Sequence, residues 1–415
     1  MANIIEVMNN VKDSQVKVCA PYVNDDAYID YLIELEQTVA TAERRIYEVY
    51  GCLPLGPVGN LRPPESIRSV TPEQLGAHIK KLSDHGISFN YVLNSELLPM
   101  PITEEYRDEV IEFLQTLHDI GVRTATVTIP WLITLIHLHF PDIQVRVSIV
   151  NEVSTVRESL EYEELGATGI VLDRDVNRDI ALLKDIRKQF KGEIELLCNS
   201  ACVFHCINVH YHGIYTSVVT NSLIKKKYDT KNASMSTPYC NFYCRRRFFE
   251  NPNELIKIHW IRPEDLKQYA DMGINLFKID GRDKEPRYIK AVVKAYLEGH
   301  YDGNLFHLLQ PEFCEDVKQI GNVDCDPENA TEAQLEEWTE EFLSESADWH
   351  VGIDNRDLDG FSDAFFSGKI SCKGNCASCR YCEKFARQVV IDPTWQRKIV
   401  KVMKYNLEKY YGKKL

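Results

Sequence analysis

Nine short apolar runs, most of them separated by amphipathic stretches of helical length, constrain the fold of this 415-residue chain more than any other feature. The runs fall at 16–22, 45–50, 88–93, 124–129, 144–150, 169–172, 193–197, 257–260 and 275–279. Helix-like segments lie between them, among them 71–85, 104–120 and 178–190. The first opens with Thr71-Pro72-Glu73, an N-cap followed by a proline at the first helical position, where a missing N–H costs nothing. Apolar strands alternating with helices are parallel β/α units. Eight or nine in one run, with no clear midpoint, predict a closed TIM-barrel-like α/β fold and not an open sheet. No Gly-x-Gly-x-x-Gly follows an early strand, so a dinucleotide-binding sheet loses its main support.

Charge sets the expected domain boundaries. The net charge of −14 is concentrated between Glu312 and Asp348, where 13 acidic residues face Lys318 alone. From Arg397 to Lys414 seven basic residues stand against Glu408. This segregation predicts a barrel over 1–310, an acidic helical linker over 311–348, and a small C-terminal helical cysteine extension over 349–415 ending in a basic helix at 394–411. An acidic total argues against nucleic-acid binding by bulk electrostatics. The longest apolar stretch, 126–140, is broken by Pro130, His137 and His139, and no basic and apolar leader opens the chain. The expectation is a cytoplasmic protein with no membrane partner.

Thirteen cysteines are the chemically informative residues, and nine of them crowd into two groups. In a cytosolic chain, crowding of this kind points to metal before disulfides. The first group sets Cys202-x3-Cys206 and Cys240-x3-Cys244 on either side of thirty-three residues, with Cys198 just before and His205, His210 and His212 among them. Four thiolates suit a tetrahedral zinc or an iron–sulfur cluster. Zinc ribbons commonly use a two-residue spacer, which tilts the reading toward a cluster; zinc with mixed cysteine and histidine ligation is the alternative. The second group, Cys372-x3-Cys376-x2-Cys379-x2-Cys382, puts four thiols in eleven residues and also favours a 4Fe–4S cluster. Its first three cysteines resemble a radical SAM signature, but too little chain follows to build the barrel that such a cofactor needs. Cys19, Cys52, Cys314 and Cys325 read as small buried hydrophobes.

Several segments in order, GISFNYVLNS from Gly86, VNRD from Val176, LLCNSACVFHC from Leu196, IRPEDL from Ile261 and FKIDGR from Phe277, resemble peptidase family U-32, the collagenase-like group better known for iron–sulfur hydroxylases. The resemblance covers about residues 15 to 305, and Asp280 stands where the family usually has Glu. It implies a barrel-like α/β fold and a 4Fe–4S cluster on Cys202, Cys206, Cys240 and Cys244. It also implies oxygen-independent hydroxylation in some relatives and a protease label in others. The second cysteine group lies outside it.

Lys278, Asp280 and Arg282 alternate at a strand end and so share one face. They are the candidate catalytic residues, with Arg282 offering a bidentate fork to a carboxylated ligand; a structural ion-pair set at the barrel mouth is the competing reading. Arg262 and Asp265 are weaker candidates, and Arg245, Arg246 and Arg247 could meet an anion or form a solvated edge.

The leading expectation is a redox enzyme with two 4Fe–4S clusters, fed by an electron-donor protein and acting on a small molecule or a peptide. RNA is less favoured, although basic patches at Lys225, Lys226 and Lys227 and at Arg245, Arg246 and Arg247 keep it open. A metal-dependent peptidase is the alternative, with no His-Glu-x-x-His or Gly-x-Ser-x-Gly motif to support it. A non-catalytic cluster protein, acting as partner or sensor, is the third reading.

Overall fold

The computed structural model describes residues 14–62, 67–227, 239–344 and 347–414. Eight parallel strands close into a barrel in sequence order: β1 Val16–Pro21, β2 Arg44–Gly51, β3 Ser88–Leu93, β4 Thr124–Val127, β5 Gln144–Val147, β6 Gly169–Val171, β7 Glu193–Leu197 and β8 Leu276–Lys278. Closure is made by β1 and β8, with Val18 opposite Phe277. The strands are buried almost throughout, as expected of a parallel sheet with helices on its outer face. The predicted TIM-barrel-like fold is therefore the observed one.

Local chemistry sets the helix starts. Thr71 caps the helix Pro72–Ser83 and exchanges hydrogen bonds with Gln74 in a full capping box, and Thr155 does the same with Glu158 for Val156–Glu164. Of the nine apolar runs, 257–260 is not a strand. The helix Asn253–Lys257 takes its first residue, Lys257 pairs with Glu254 at 2.7 Å, and the Trp260 indole donates to the Leu255 carbonyl at 3.1 Å. These bonds fold the run back on its own helix, so eight strands close the barrel and not nine.

By its internal contacts the chain divides into two units, the barrel unit of Met1–Cys198, Gly213–Asn232 and Ile261–His300, and a second unit of Asn199–His212, Ala233–Trp260 and Tyr301–Leu415. The sequence groups the segment after β7 with the barrel and treats 311–348 as a linker; by contacts Asn199–His212, Ala233–Trp260 and 311–348 fall in the second unit, while Gly213–Asn232 stays with the barrel. The reason is aromatic packing. Phe249 meets Trp349, Phe342 and Trp395 edge to face at centroid distances of 5.5, 6.2 and 5.0 Å. The acidic helix Glu332–Leu343 contributes Leu335, Trp338 and Phe342 to this core, so its charges occupy only the outer face. Helix Pro393–Tyr411 packs on helix Tyr239–Glu250. Among the described residues no helix is long and apolar enough to cross a membrane.

Candidate functional site

Charged residues in otherwise apolar strands build a polar core inside the barrel. Arg146 on β5 is 2% exposed and reaches Glu48 on β2 at 2.6 Å, Glu193 on β7 at 2.7 Å and Glu195 at 3.4 Å. Lys278 on β8 lies 3.7 Å from the same Glu195 carboxylate, and Asn90 on β3 donates to Glu48 at 3.0 Å. Burial alone would raise the Glu48 carboxyl, but Arg146 outweighs it and the group is held below its ordinary range. Cys19, Glu48 and Glu195 form the one set of three such ligand atoms mutually within 4.8 Å among the described residues. Both of its carboxylates already face cations of the protein, and burial pushes the Cys19 thiol up into its neutral form. With Arg146 and Lys278 beside its two carboxylates, this set is a charge-balanced interior.

At the C-terminal ends of the strands, where barrels carry their chemistry, Lys278 lies over the ring of Tyr50 with its Nζ 3.9 Å from the centroid. Arg282 approaches the same ring at 5.6 Å and donates to the Cys52 sulfur at 3.1 Å. Asp280 turns to Arg62 at 2.5 Å, and Arg62 also holds Asp283 at 3.2 Å. Burial raises the Asp280 carboxyl, yet the Arg62 guanidinium and then Arg282 bring it below its usual value. Lys278 and Arg282 thus share Tyr50, whereas Asp280 is turned away into an ion pair. Arg262 and Asp265 bind each other bidentately at 3.0 and 3.2 Å, a structural pair.

The second unit gathers the cysteines. Cys240 and Cys244 sit one helical turn apart on Tyr239–Glu250. Burial, then the nearby Cys244 and Cys206 sulfurs, pushes the Cys240 thiol up to about 12. Cys244 is pushed up to about 11 by burial, opposed by Arg245 and supported by Cys202 and Cys206. The four sulfurs therefore feel one another, although the two halves of the group are far apart in sequence. None of the thirteen cysteines is joined in a disulfide. Arg245 stacks on Trp349 at 4.5 Å, Arg246 pairs with Glu250 at 3.0 Å and Arg247 with Glu254 at 3.1 Å, so these arginines are spent on the unit itself. The side chains of Lys225, Lys226 and Lys227 lie outside the described set.

Cys372, Cys376, Cys379 and Cys382 all line one cavity of about 180 Å³. Beside it, His259 approaches the Cys372 sulfur with Nε2 at 3.4 Å. Phe204 stacks on His259 at 4.3 Å and touches His205 at 4.1 Å. Gly374 takes a φ of +77°, and a Cβ there would sit 3.2 Å from the His205 ring, so the loop between Cys372 and Cys376 needs glycine to reach the loop between Cys202 and Cys206.

A single tetrahedral ion with bonds of about 2.3 Å draws its thiolates to roughly 3.8 Å of one another. In neither quartet do three of the sulfurs come within 4.8 Å of one another, among the described residues. The cavity lined by Cys372, Cys376, Cys379 and Cys382 has room for a group of several atoms, at on the order of 10–15 Å³ for each water-sized occupant. Four free cysteines in each quartet supply the thiol donors that an iron–sulfur cluster takes.

The sequence model described as Peptidase family U32 matches residues 34–339, most of the chain. The chain belongs to peptidase family U32. A relative, an uncharacterized protease of Methanocaldococcus jannaschii, is 25% identical over 320 residues, covering 77% of this chain and 82% of its own. A solved U32 peptidase superposes with a TM-score of 0.46 at 15% identity, covering 64% of this chain and 93% of that one. An aldolase from Escherichia coli K12 superposes with a TM-score of 0.36 at 8% identity, covering 74% of this chain and 94% of its own. The U32 match ends before Cys372, so the second quartet lies outside the family's shared region. Sequence reasoning missed Arg146, Glu48, Glu195, Tyr50 and His259. The first three had a signal, a charge inside each of the strands QVRV, RRIYEVYG and EIELL.

Proposed function

We propose that this U32 protein is an iron–sulfur redox enzyme that carries out oxygen-independent hydroxylation, or a related modification, of a small molecule, a peptide or an RNA. The observation that carries the reading is the assembly of Cys202, Cys206, Cys240 and Cys244 as free thiols within one unit, which also holds a cavity lined by four further cysteines. A 4Fe–4S cluster held by such thiolates supplies one-electron chemistry. The protein's own part is to bind and orient the substrate at the barrel mouth with Lys278 and Arg282, while Asp280 and Arg62 fix the loop after β8. An electron-donor protein in the cytoplasm belongs to the same reading.

Iron and sulfide analysis of anaerobically purified protein tests it. About eight irons per chain are expected, falling to about four in Cys240→Ala/Cys244→Ala and to about four in Cys379→Ala/Cys382→Ala. Stoichiometric zinc without iron would sink the proposal.

A second reading rests on the Cys372 and His259 contact at 3.4 Å, which has the residue types and spacing of a thiol nucleophile with its base. On that reading the protein is a cysteine peptidase. Cys372→Ala would then abolish peptide cleavage while leaving the iron content untouched; on the first reading it lowers the iron content.

A further inference from the structure

Arg282 is 8% exposed, and of its three guanidinium nitrogens only Nη1 hydrogen-bonds within the described residues, to the Cys52 sulfur at 3.1 Å. Nε is buried with no hydrogen-bond partner among those residues. The carboxylates nearby are committed elsewhere: Asp280 and Asp283 to Arg62, and Glu195 to Arg146 and Lys278. Cys52 brings no compensating charge, because burial pushes its thiol up and keeps it neutral despite the pull of Arg282. The ring of Tyr50 supplies only a π face, shared with Lys278. Arg282 feels the Asp280 charge but makes no direct ion pair with it, and a buried guanidinium N–H left without a hydrogen-bond acceptor is costly.

The orientation says what such an acceptor would be. With Nη1 turned to Cys52, the Nε and Nη2 edge remains, and that edge presents two parallel N–H groups at the spacing of two oxygens on one carbon or phosphorus. We propose that Arg282 anchors an oxyanion subsite at the C-terminal mouth of the barrel, taking a carboxylate or phosphate group of the substrate side-on across Nε and Nη2. Lys278, which shares the Tyr50 ring, adds the second positive charge of the subsite. The substrate is thus an acid or a phosphorylated compound. This deepens the reading that the barrel mouth receives the substrate, and it does not depend on iron.

Titration calorimetry and thermal unfolding of the full chain with malonate, and separately with inorganic phosphate, test the subsite. Saturable binding of one probe is expected, and the probe that binds tells carboxylate from phosphate. Arg282→Met should weaken it at least tenfold. Arg282→Lys, which keeps the charge and loses the fork, should also weaken it. Without a probe, Arg282→Met should unfold no earlier than the parent, since it removes a buried guanidinium whose Nε has no hydrogen-bond partner among the described residues. Binding of neither probe, unchanged binding in Arg282→Met, or a large loss of stability in that variant would each overturn the proposal. Cys240→Ala/Cys244→Ala separates the two claims. Probe binding retained there supports the subsite whatever happens to the iron, and binding lost there assigns the anion to the cysteine unit and overturns it.

Discussion

His259 Nε2 lies 3.4 Å from Cys372 Sγ, across 113 positions of sequence. The imidazole is 4% exposed and is held in place by the stacked ring of Phe204, which stands between the first pair of cysteines, Cys202 and Cys206. One aromatic stack therefore joins the loops that carry the two quartets. Hydrogen bonds to ligand sulfurs raise the potential of an iron–sulfur centre by stabilising the added electron. On the proposed function, His259→Leu should keep the iron content and make the centre on Cys372 harder to reduce. A redox titration followed by EPR checks this, and an unchanged midpoint would leave His259 as packing alone.

Arg146 is the counter-ion of two fully buried carboxylates, Glu48 and Glu195. Arg146→Leu leaves them with Lys278 alone, so a loss of roughly 3–5 kcal/mol is expected. Urea unfolding of the variant measures it. A loss well below that would mean that the interior carries fewer charges than the geometry implies.

Asp280 gives a pH dependence with a definite sign. Its carboxyl is held below the usual range because Arg62 outweighs burial, so its contribution to stability is present above the unfolded value of about 3.9 and is lost as pH falls through the lower folded value. The Asp280 side chain is 35% exposed, so solvent screens the pair and the contribution is at most about 1 kcal/mol. Asp280→Asn should therefore unfold at lower urea than the parent at pH 7, and the gap should close toward pH 3. A gap independent of pH would assign the loss to packing.

Trp395, 3% exposed and edge-on to Phe249 at 5.0 Å, ties helix Pro393–Tyr411 to the helix that carries Cys240 and Cys244. Trp395→Ala should cost about 3–5 kcal/mol and, on the proposed function, lower the metal content of the first quartet, although no cysteine is altered. Metal analysis beside a thermal melt would detect this. Full loading of a destabilised variant would uncouple the helix from the site.

The barrel was legible because parallel strands buried on both faces read as unbroken apolar runs, and the capping residues Thr71 and Thr155 mark helix starts in plain view. The run at 257–260 misled for the same reason: it is equally apolar, and only the Trp260 indole bond to Leu255 shows that it folds back on a helix. The acidic stretch suggested a linker because charge dominates its composition. Leu335, Trp338 and Phe342 are spaced three and four apart within it, which is the pattern of a packed helix face. The cysteines drew attention by crowding. His259 had no such signal, because a lone histidine in an apolar run gives no hint of a sulfur 113 positions away.

The bond from Gln396 to the Phe249 carbonyl, at 2.7 Å, spans 147 positions. The platform of Cys240 and Cys244 is thus completed by residues that the ribosome adds long after the cysteines have left it. During that interval the thiols stand on a nascent helix with no partner. On the proposed function, delivery of a cluster to this chain is accordingly a late event in its biosynthesis, and the waiting sulfurs need shielding from oxidation until the helix at 393–411 has been made.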